Sequence, residues 1–294
     1  MIGVFFFRLA SRLPFSWLYA ISDLLAFVIR PFYRRKVVIS NLKSSFPDKT
    51  DAEIKSLLPG IYRNICDVLV ETIKSHGITR EQLGERVKFV NVAALNSHIE
   101  SKTSIYLLAA HQCNWEWLLL AISSQLPIHA DVVYKPLKDK AMDDFLLKNR
   151  ERFGAHLIPK DDALMEILKR RDKLRGICIA ADQLPVRTTN KFWTKFLNQD
   201  TAFYMGPEQL PKFTSLPVYF VNIWRTRRGY YNIEFIPIAK PPYAKGKIDI
   251  LPKYAEEAEA MIKKNPTDWL WSHKRWKYPK PDKPDKANQY TEEV

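Results

Sequence analysis

Glycine is scarce in this 294-residue chain, with nine in all, and none is arranged as a G-x-G-x-x-G, Walker A or G-x-S-x-G motif. Without those loops there is no ready cradle for nucleotide phosphates and no nucleophile elbow. The common dinucleotide, NTPase and serine-hydrolase chemistries are therefore excluded. Cysteine is scarcer still. Cys66, Cys113 and Cys178 stand far apart with no C-x-x-C pair, which excludes a disulfide framework or zinc knuckle and fits a reducing compartment. Cys66 and Cys178 read as small buried apolar residues. Cys113 lies two residues from His111, but a pair so spaced on a loop rarely points inward together, so its thiol is expected to be a bystander. Acidic residues are also in deficit, 32 against 46 Lys plus Arg, for a net charge of +14. Such a surface favours a polyanionic partner, whether nucleic acid, anionic lipid or an acidic carrier protein.

What is present begins with an apolar, aromatic front end. Leu13 to Ile29 is nearly continuous apolar sequence apart from Ser16, Ser22 and Asp23, and Arg30, Arg34, Arg35 and Lys36 close it. A spanning helix wants roughly 20 apolar residues with ~17 the lower limit, and an aspartate is costly at mid-bilayer. No small-residue cleavage site comes after the run. Residues 1–36 are accordingly expected to be a membrane-anchor segment. It is either a short spanning helix or one lying at the interface, with Trp17, Tyr19 and the arginines at headgroup level. A buried core helix is the other reading. The basic cluster favours the membrane and a cytoplasmic position for the rest of the chain.

From residue 37 to 278 short apolar runs alternate with helical patterns. Strands are expected at Val87–Val90, Ser104–Ala110, Ala130–Tyr134, His156–Ile158, Gly176–Ala181, Pro217–Trp224 and Tyr231–Phe235. Helices are expected at Ala52–Leu58, Ile61–Lys74, Val92–Glu100, Trp115–Gln125, Ala141–Phe153, Ala163–Arg171, Pro207–Phe213 and Tyr254–Lys264. That order predicts an α/β fold, a mainly parallel central sheet flanked by helices on both faces. There is no internal repeat, and residues 279–294, rich in Pro and Lys, are expected to be a disordered basic tail.

The chemistry-bearing stretch is His111-Gln-Cys-Asn114-Trp-Glu116-Trp, directly after an apolar strand. In open α/β sheets ligands bind beyond the carboxyl ends of strands. Five positions on one helix rotate a side chain by roughly 140°, so His111 and Glu116 share a site only if the chain turns between them. A strand ending at His111, a tight turn, and Asn114 capping a helix from Trp115 would do this. Glu116 could then reach back to the imidazole, fix its tautomer and leave the other nitrogen as a general base. The plainer alternative has Glu116 favoured by the helix dipole and His111 satisfying a loop carbonyl.

The His-x4-Glu arrangement resembles that of the lipid A biosynthesis acyltransferases, the lauroyl and myristoyl transferases within the larger His-x4-Asp/Glu group of glycerolipid acyltransferases. Similarity extends to Leu13-Pro-Phe, Tyr33-Arg-Arg-Lys-Val37, Asn41-Leu, Phe46-Pro, Tyr134-Lys-Pro136, Asn149-Arg150, Ala181-Asp-Gln183 and Thr201…Gly206. It closes with Trp269-Leu-Trp-Ser-His-Lys-Arg-Trp-Lys277. The resemblance implies a glycerolipid-acyltransferase-like fold and transfer of a fatty acyl chain from an acyl carrier protein thioester to a hydroxyl of an anionic glycolipid. It places the protein at the cytoplasmic face of the bacterial inner membrane, without nucleic acid, bound cofactor or metal. His111 would be the base and Glu116 its partner. Amides near Asn114 and Trp115 would stabilise the oxyanion, and Arg150 and Asp182 would position the acceptor. His273, Lys274 and Arg275 would form a basic rim. Lys135 stands where the family commonly has arginine, and Thr201-Ala-Phe-Tyr is less threonine-rich than usual, which leaves the acceptor open. The rivals are acylation of a lysophospholipid or other membrane lipid, and a basic membrane-surface or nucleic-acid-binding protein.

Overall fold

Apolar runs too short for helices become strands wherever both their faces can be buried, and the computed structural model obeys that rule over residues 7–186 and 190–281, the part it describes. The strands are β1 Val87–Phe89, β2 Ile105–Ala109, β3 His129–Tyr134, β4 His156–Pro159, β5 Arg175–Ala180, β6 Lys191–Phe196, β7 Gln199–Tyr204, β8 Val218–Arg227 and β9 Tyr230–Ala239. The helices are α1 Phe15–Ile29, α2 Arg35–Ser45, α3 Asp51–Lys74, α4 Arg80–Arg86, α5 Asn96–Glu100, α6 Trp115–Gln125, α7 Lys140–Arg150, α8 Ala163–Lys169, α9 Gly206–Thr214 and α10 Ile250–Lys264. Seven strands form one sheet in the order β1-β9-β8-β2-β5-β3-β4. Five of its six pairings are parallel, and only β8 with β9 is antiparallel. The expected α/β architecture is borne out.

Central strand β2 explains the two-layer core. Tyr106, Leu108 and Ala110 pack into one cluster with α3, α10 and the β6–β7 hairpin. Ile105 and Leu107 pack into the other with α4 and α6. With period-two side chains and helices on both faces, the strand must be apolar throughout.

Three features differ from the sequence reading. The break between Leu58 and Ile61 does not exist: α3 is one helix containing Pro59, opened by a Thr50–Glu53 capping box. Proline deletes one helical hydrogen bond, but Ile54, Leu58, Ile61 and Tyr62 bury one continuous face. Gly60 is needed for proximity, since a Cβ there would meet Thr267 Cγ2 at 2.8 Å. The antiparallel hairpin β6–β7 was not anticipated. Its turn is made by Leu197 and Asn198, both with positive φ (50° and 62°), the geometry usually signalled by Asn-Gly.

The third difference concerns the anchor. Among the described residues no helix is long and apolar enough to cross a membrane. Helix α1 has 15 residues and rises about 22 Å, against roughly 30 Å of bilayer hydrocarbon. It packs along α3, burying Leu18, Ser22 and Ala26. Residue 36, the expected edge of the anchor segment, falls inside α2. Residues 1–6 of that segment, and 282–294 of the expected tail, lie outside the described residues.

Helix α10 begins on a buried carboxylate. Glu208 accepts from the backbone N–H of Asp249, Ile250 and Leu251 at 3.1, 3.0 and 2.8 Å and pairs with Lys212 at 2.6 Å. Removing it strands three backbone donors, while Lys212 keeps its pair with Asp249 at 2.8 Å. Glu208→Ala is expected to lower the unfolding free energy by about 3 kcal/mol, read as a shift in the urea midpoint. An unchanged midpoint would show that water replaces the cap without loss.

Candidate active site

The carboxyl ends of β2 and β5 carry the site. Their register pairs Ala109 with Ala180, so residues two further along each strand, His111 and Asp182, come side by side. Asp182 Oδ1 lies 2.7 Å from His111 Nδ1, and Oδ2 accepts from the His111 backbone N–H at 3.0 Å and from Trp269 Nε1 at 2.8 Å. The carboxylate is thus engaged on both oxygens and almost fully buried. With Nδ1–H committed to Asp182, Nε2 carries the imidazole lone pair. Gln183 Nε2 donates to it at 3.1 Å, and the Trp115 ring stands edge-on at 5.1 Å.

Burial disfavours the imidazolium, but the Asp182 carboxylate, with Glu116 beyond it, outweighs burial and raises the His111 pKa. Burial likewise disfavours the Asp182 carboxylate, and the imidazole with its hydrogen bonds reverses this, holding Asp182 well below the ordinary carboxylate range.

The turn after His111 is built by strain and by a clamp. Cys113 has φ 50°, a left-handed conformation unfavourable for a side chain. Its amide donates to Asp268 O at 2.8 Å, and Leu270 N–H donates back to His111 O at 3.1 Å. The closing segment around Trp269 therefore grips the turn from both sides. The thiol faces Asp268 Oδ2 at 3.5 Å, away from the imidazole's partners, and burial pushes its pKa well above the ordinary thiol value. A thiol so buried and protonated is a poor nucleophile.

The candidate residues read from the sequence fall into different groupings from those expected. Asn114 caps α6, accepting from Trp117 N–H at 2.9 Å, and its amide donates to Glu71 Oε2 at 2.6 Å. Both ends of the fully buried amide thus hold the turn. Glu116 does not reach back to the imidazole. It holds Arg150 in a two-point pair, Oε2 with Nε at 2.9 Å and Oε1 with Nη2 at 2.6 Å, which ties α6 to α7. Asp182, expected to position the acceptor, is the residue that orients His111. The expected basic rim is largely internal. Arg275 is 1% exposed, with Nη2 on Ala202 O at 2.6 Å and its guanidinium over Phe203. His273 Nε2 accepts from Leu184 N–H at 3.2 Å. Only Lys274 is exposed.

Gln183 and Glu71 are not among the expected site residues. Gln183 stands next to Asp182 in the Ala181-Asp-Gln183 motif, which is the signal that could have found it, whereas Glu71 sits mid-helix with no local signal. Among the described residues no cluster of three or more His, Cys, Asp or Glu could hold a metal ion. The arrangement is that of a proton acceptor: an imidazole oriented from behind by a carboxylate, its free nitrogen turned to a donor.

Residues 1–278 match the family model described as bacterial lipid A biosynthesis acyltransferase. No curated protein matches the chain.

The raised His111 pKa has a checkable sign. Because the Asp182 carboxylate favours the imidazolium, the titration midpoint should lie above the ordinary ~6.5 and fall when that carboxylate is removed. An NMR titration is expected to give a higher midpoint in the wild type than in Asp182→Asn. Equal midpoints would mean the pair does not set the basicity of His111.

Proposed function

Since the chain belongs to the bacterial lipid A biosynthesis acyltransferase family and is an acyltransferase, we propose that it moves a fatty acyl group from an acyl carrier protein thioester to a hydroxyl of an anionic glycolipid precursor of lipid A. The observation that carries this reading is the His111–Asp182 pair, whose Nε2 is the one imidazole nitrogen available to substrate.

In the proposed reaction the acceptor hydroxyl displaces the Gln183 amide from Nε2 and gives up its proton there as its oxygen attacks the thioester carbonyl. Asp182 stabilises the imidazolium that forms. The first amides of α6, Trp115 and Glu116 N–H, have no intrahelical acceptor and lie at the positive end of the helix dipole, where an oxyanion is favoured. Collapse of the tetrahedral adduct expels the thiolate, which takes the proton back from His111, giving ester and free thiol. The Glu116–Arg150 pair holds its charges close to the imidazole and leaves Nη1 outside the pair. That nitrogen suits a phosphate or carboxylate of the acceptor.

The membrane part of the proposal rests on α1. Trp17, Leu24 and Phe27 are 66%, 64% and 70% exposed, and Ile21, Val28 and Phe32 continue the same apolar surface. Arg12, Arg34 and Lys36 are exposed beside it. An apolar stripe edged by cations fits a helix lying in the interface of an anionic membrane, with the net charge of +14 aiding approach to an acidic carrier protein as well.

Two experiments test this. With purified protein, one acyl carrier protein thioester and equal amounts of lipid A precursor and lysophosphatidate, acylation of the precursor is expected to dominate. His111→Ala and Asp182→Ala should lower turnover by about a hundredfold or more while remaining folded. Preferred acylation of lysophosphatidate would reassign the acceptor, and normal turnover of folded His111→Ala would remove the base. In flotation with phosphatidylglycerol vesicles, the wild type should rise with lipid. A Trp17→Ser/Leu24→Ser/Phe27→Ser triple variant should stay below, because each such side chain contributes about 1.5–3 kcal/mol when moved out of water. Flotation of both would place the attachment elsewhere.

A further inference from the structure

Glu71 is 1% exposed, lies on α3 and belongs to none of the reacting groups, yet it meets three separate parts of the molecule. Its Oε1 accepts from Tyr19 Oη of α1 at 2.8 Å. Its Oε2 accepts from Asn114 Nδ2 at 2.6 Å and from Tyr231 Oη of β9 at 2.7 Å. Its backbone carbonyl accepts from Trp117 Nε1 of α6 at 3.0 Å, and the same indole also reaches Ser75 Oγ at 2.9 Å. Burial raises the pKa of the carboxyl against the pull of these donors.

The neighbouring contacts seat α1 on this core. Asp67, one helical turn before Glu71, accepts from Ser22 of α1 at 2.6 Å and pairs with Arg228 at 2.7 Å. Arg228 also holds Asp23 of α1 at 2.8 Å and the Tyr19 carbonyl at 3.2 Å. Gly229 (φ +74°) leaves room for the Tyr19 hydroxyl, which an added Cβ would meet at 2.0 Å. The helix with the exposed apolar stripe is therefore wired by its inner face to the residue that fixes Asn114.

Asn114 is the hinge between the strained Cys113 and the first amides of α6. Its side chain has one amide oxygen, spent on the Trp117 cap, and one amide nitrogen, spent on Glu71. Releasing that nitrogen frees the turn that orients His111 and the amides of Trp115 and Glu116. We propose that Glu71 is a positioning residue for acyl transfer, coupling the seat of α1 to the geometry of the His111–Asn114 turn. This rests on the reading of His111 as the base.

The hydrogen bond can be reversed without changing shape. Glu71→Met removes the acceptor, whereas Glu71→Gln alone keeps it by turning its oxygen to Asn114 and Tyr231 and its amide to Tyr19. Asn114→Asp sets two carboxylates against each other. In the Glu71→Gln/Asn114→Asp double variant the glutamine Nε2 donates to one aspartate oxygen while the other still caps Trp117. In vesicles with glycolipid acceptor, Glu71→Met and Asn114→Asp are each expected to lose about 10- to 100-fold in kcat, as small misplacements near the reacting atoms do. KM should stay within about twofold, and the double should recover most of the loss.

The companion readout needs no acceptor. Asp182, Glu116 and Arg150 are the charged groups that act on His111, with His273 the nearby imidazole. Loosening the turn weakens the Asp182 contact. The His111 midpoint by NMR should therefore fall in Glu71→Met and stay near the wild-type value in the Glu71→Gln/Asn114→Asp double.

A folded Glu71→Met with wild-type kcat and midpoint overturns the proposal, as does a folded double no better than Asn114→Asp. If the wild type acylates no glycolipid, the functional reading fails, while the NMR series still decides for or against Glu71.

Discussion

The site depends on the register of β2 against β5. A parallel pair aligns residues at fixed offsets, and Ala109 opposite Ala180 brings residues 111 and 182 together just past the ends of both strands. A slip of one residue would turn every side chain of the shifted strand to the other face. Tyr106, Leu108 and Ala110 would then leave the α3–α10 layer, and Asp182 would lose its two-point hold on the backbone and ring of His111. The hydrophobic alternation that specifies the core therefore also specifies the proton acceptor. The carboxyl ends of adjacent parallel strands are where such side chains can converge, since the strands diverge into separate loops there.

Buried charge is distributed in a way that serves this geometry. Asp131 on β3 pairs with Arg170 at 2.8 Å and Arg175 at 3.1 Å, and Glu208 anchors α10. Asp67 and Glu71 knit α1, α3, β8 and β9 around the His111 turn. Such pairs seldom add much net stability, because desolvation opposes the Coulomb gain, whereas removing one partner is costly. Their effect is directional. An apolar cluster tolerates a shifted helix, but a carboxylate holding three donors does not. The tolerant contacts fill the two core layers, and the intolerant ones lie between elements that must keep a fixed relation to His111.

Legibility from sequence depends on the range of the interaction. Helix α6 was readable to its first residue because Asn114 caps it locally, and β2 was readable because burial on both faces leaves an apolar run. His111 stood out by position at a strand end. Its partner did not. Glu116 is near in sequence and invited a local pairing, while Asp182 is 71 residues away and meets His111 only through strand register, which no local pattern encodes. Pro59-Gly60 suggested a break because both residues usually punctuate, yet here the glycine admits Thr267 within a buried face. The β6–β7 hairpin escaped notice because Leu197-Asn198 carries no glycine. Glu71 has no motif at all, being defined only by what three distant segments bring to it.

The front end read two ways because it is two things. One side of α1 is core, with Leu18, Ser22 and Ala26 buried, and the other is an apolar surface. Composition alone cannot separate these sides, since both draw on the same residue types. The stretch from α1 through α3 ties that surface to the site. Tyr62 Oη donates to Tyr33 O at 2.7 Å, and Arg34 Nη1 donates to Ser272 O at 2.9 Å. Asn41 Nδ2 reaches the carbonyls of Trp271 and His273 at 2.9 and 3.0 Å. The same closing segment bonds His111 O through Leu270. On the proposed reading, an acceptor lipid at an interface would have its headgroup confined to a thin layer, and His111 would have to keep a fixed depth relative to the apolar face of α1. Short hydrogen-bonded paths run from the stretch beginning with α1 to both sides of the His111 turn, and they are what would hold that depth.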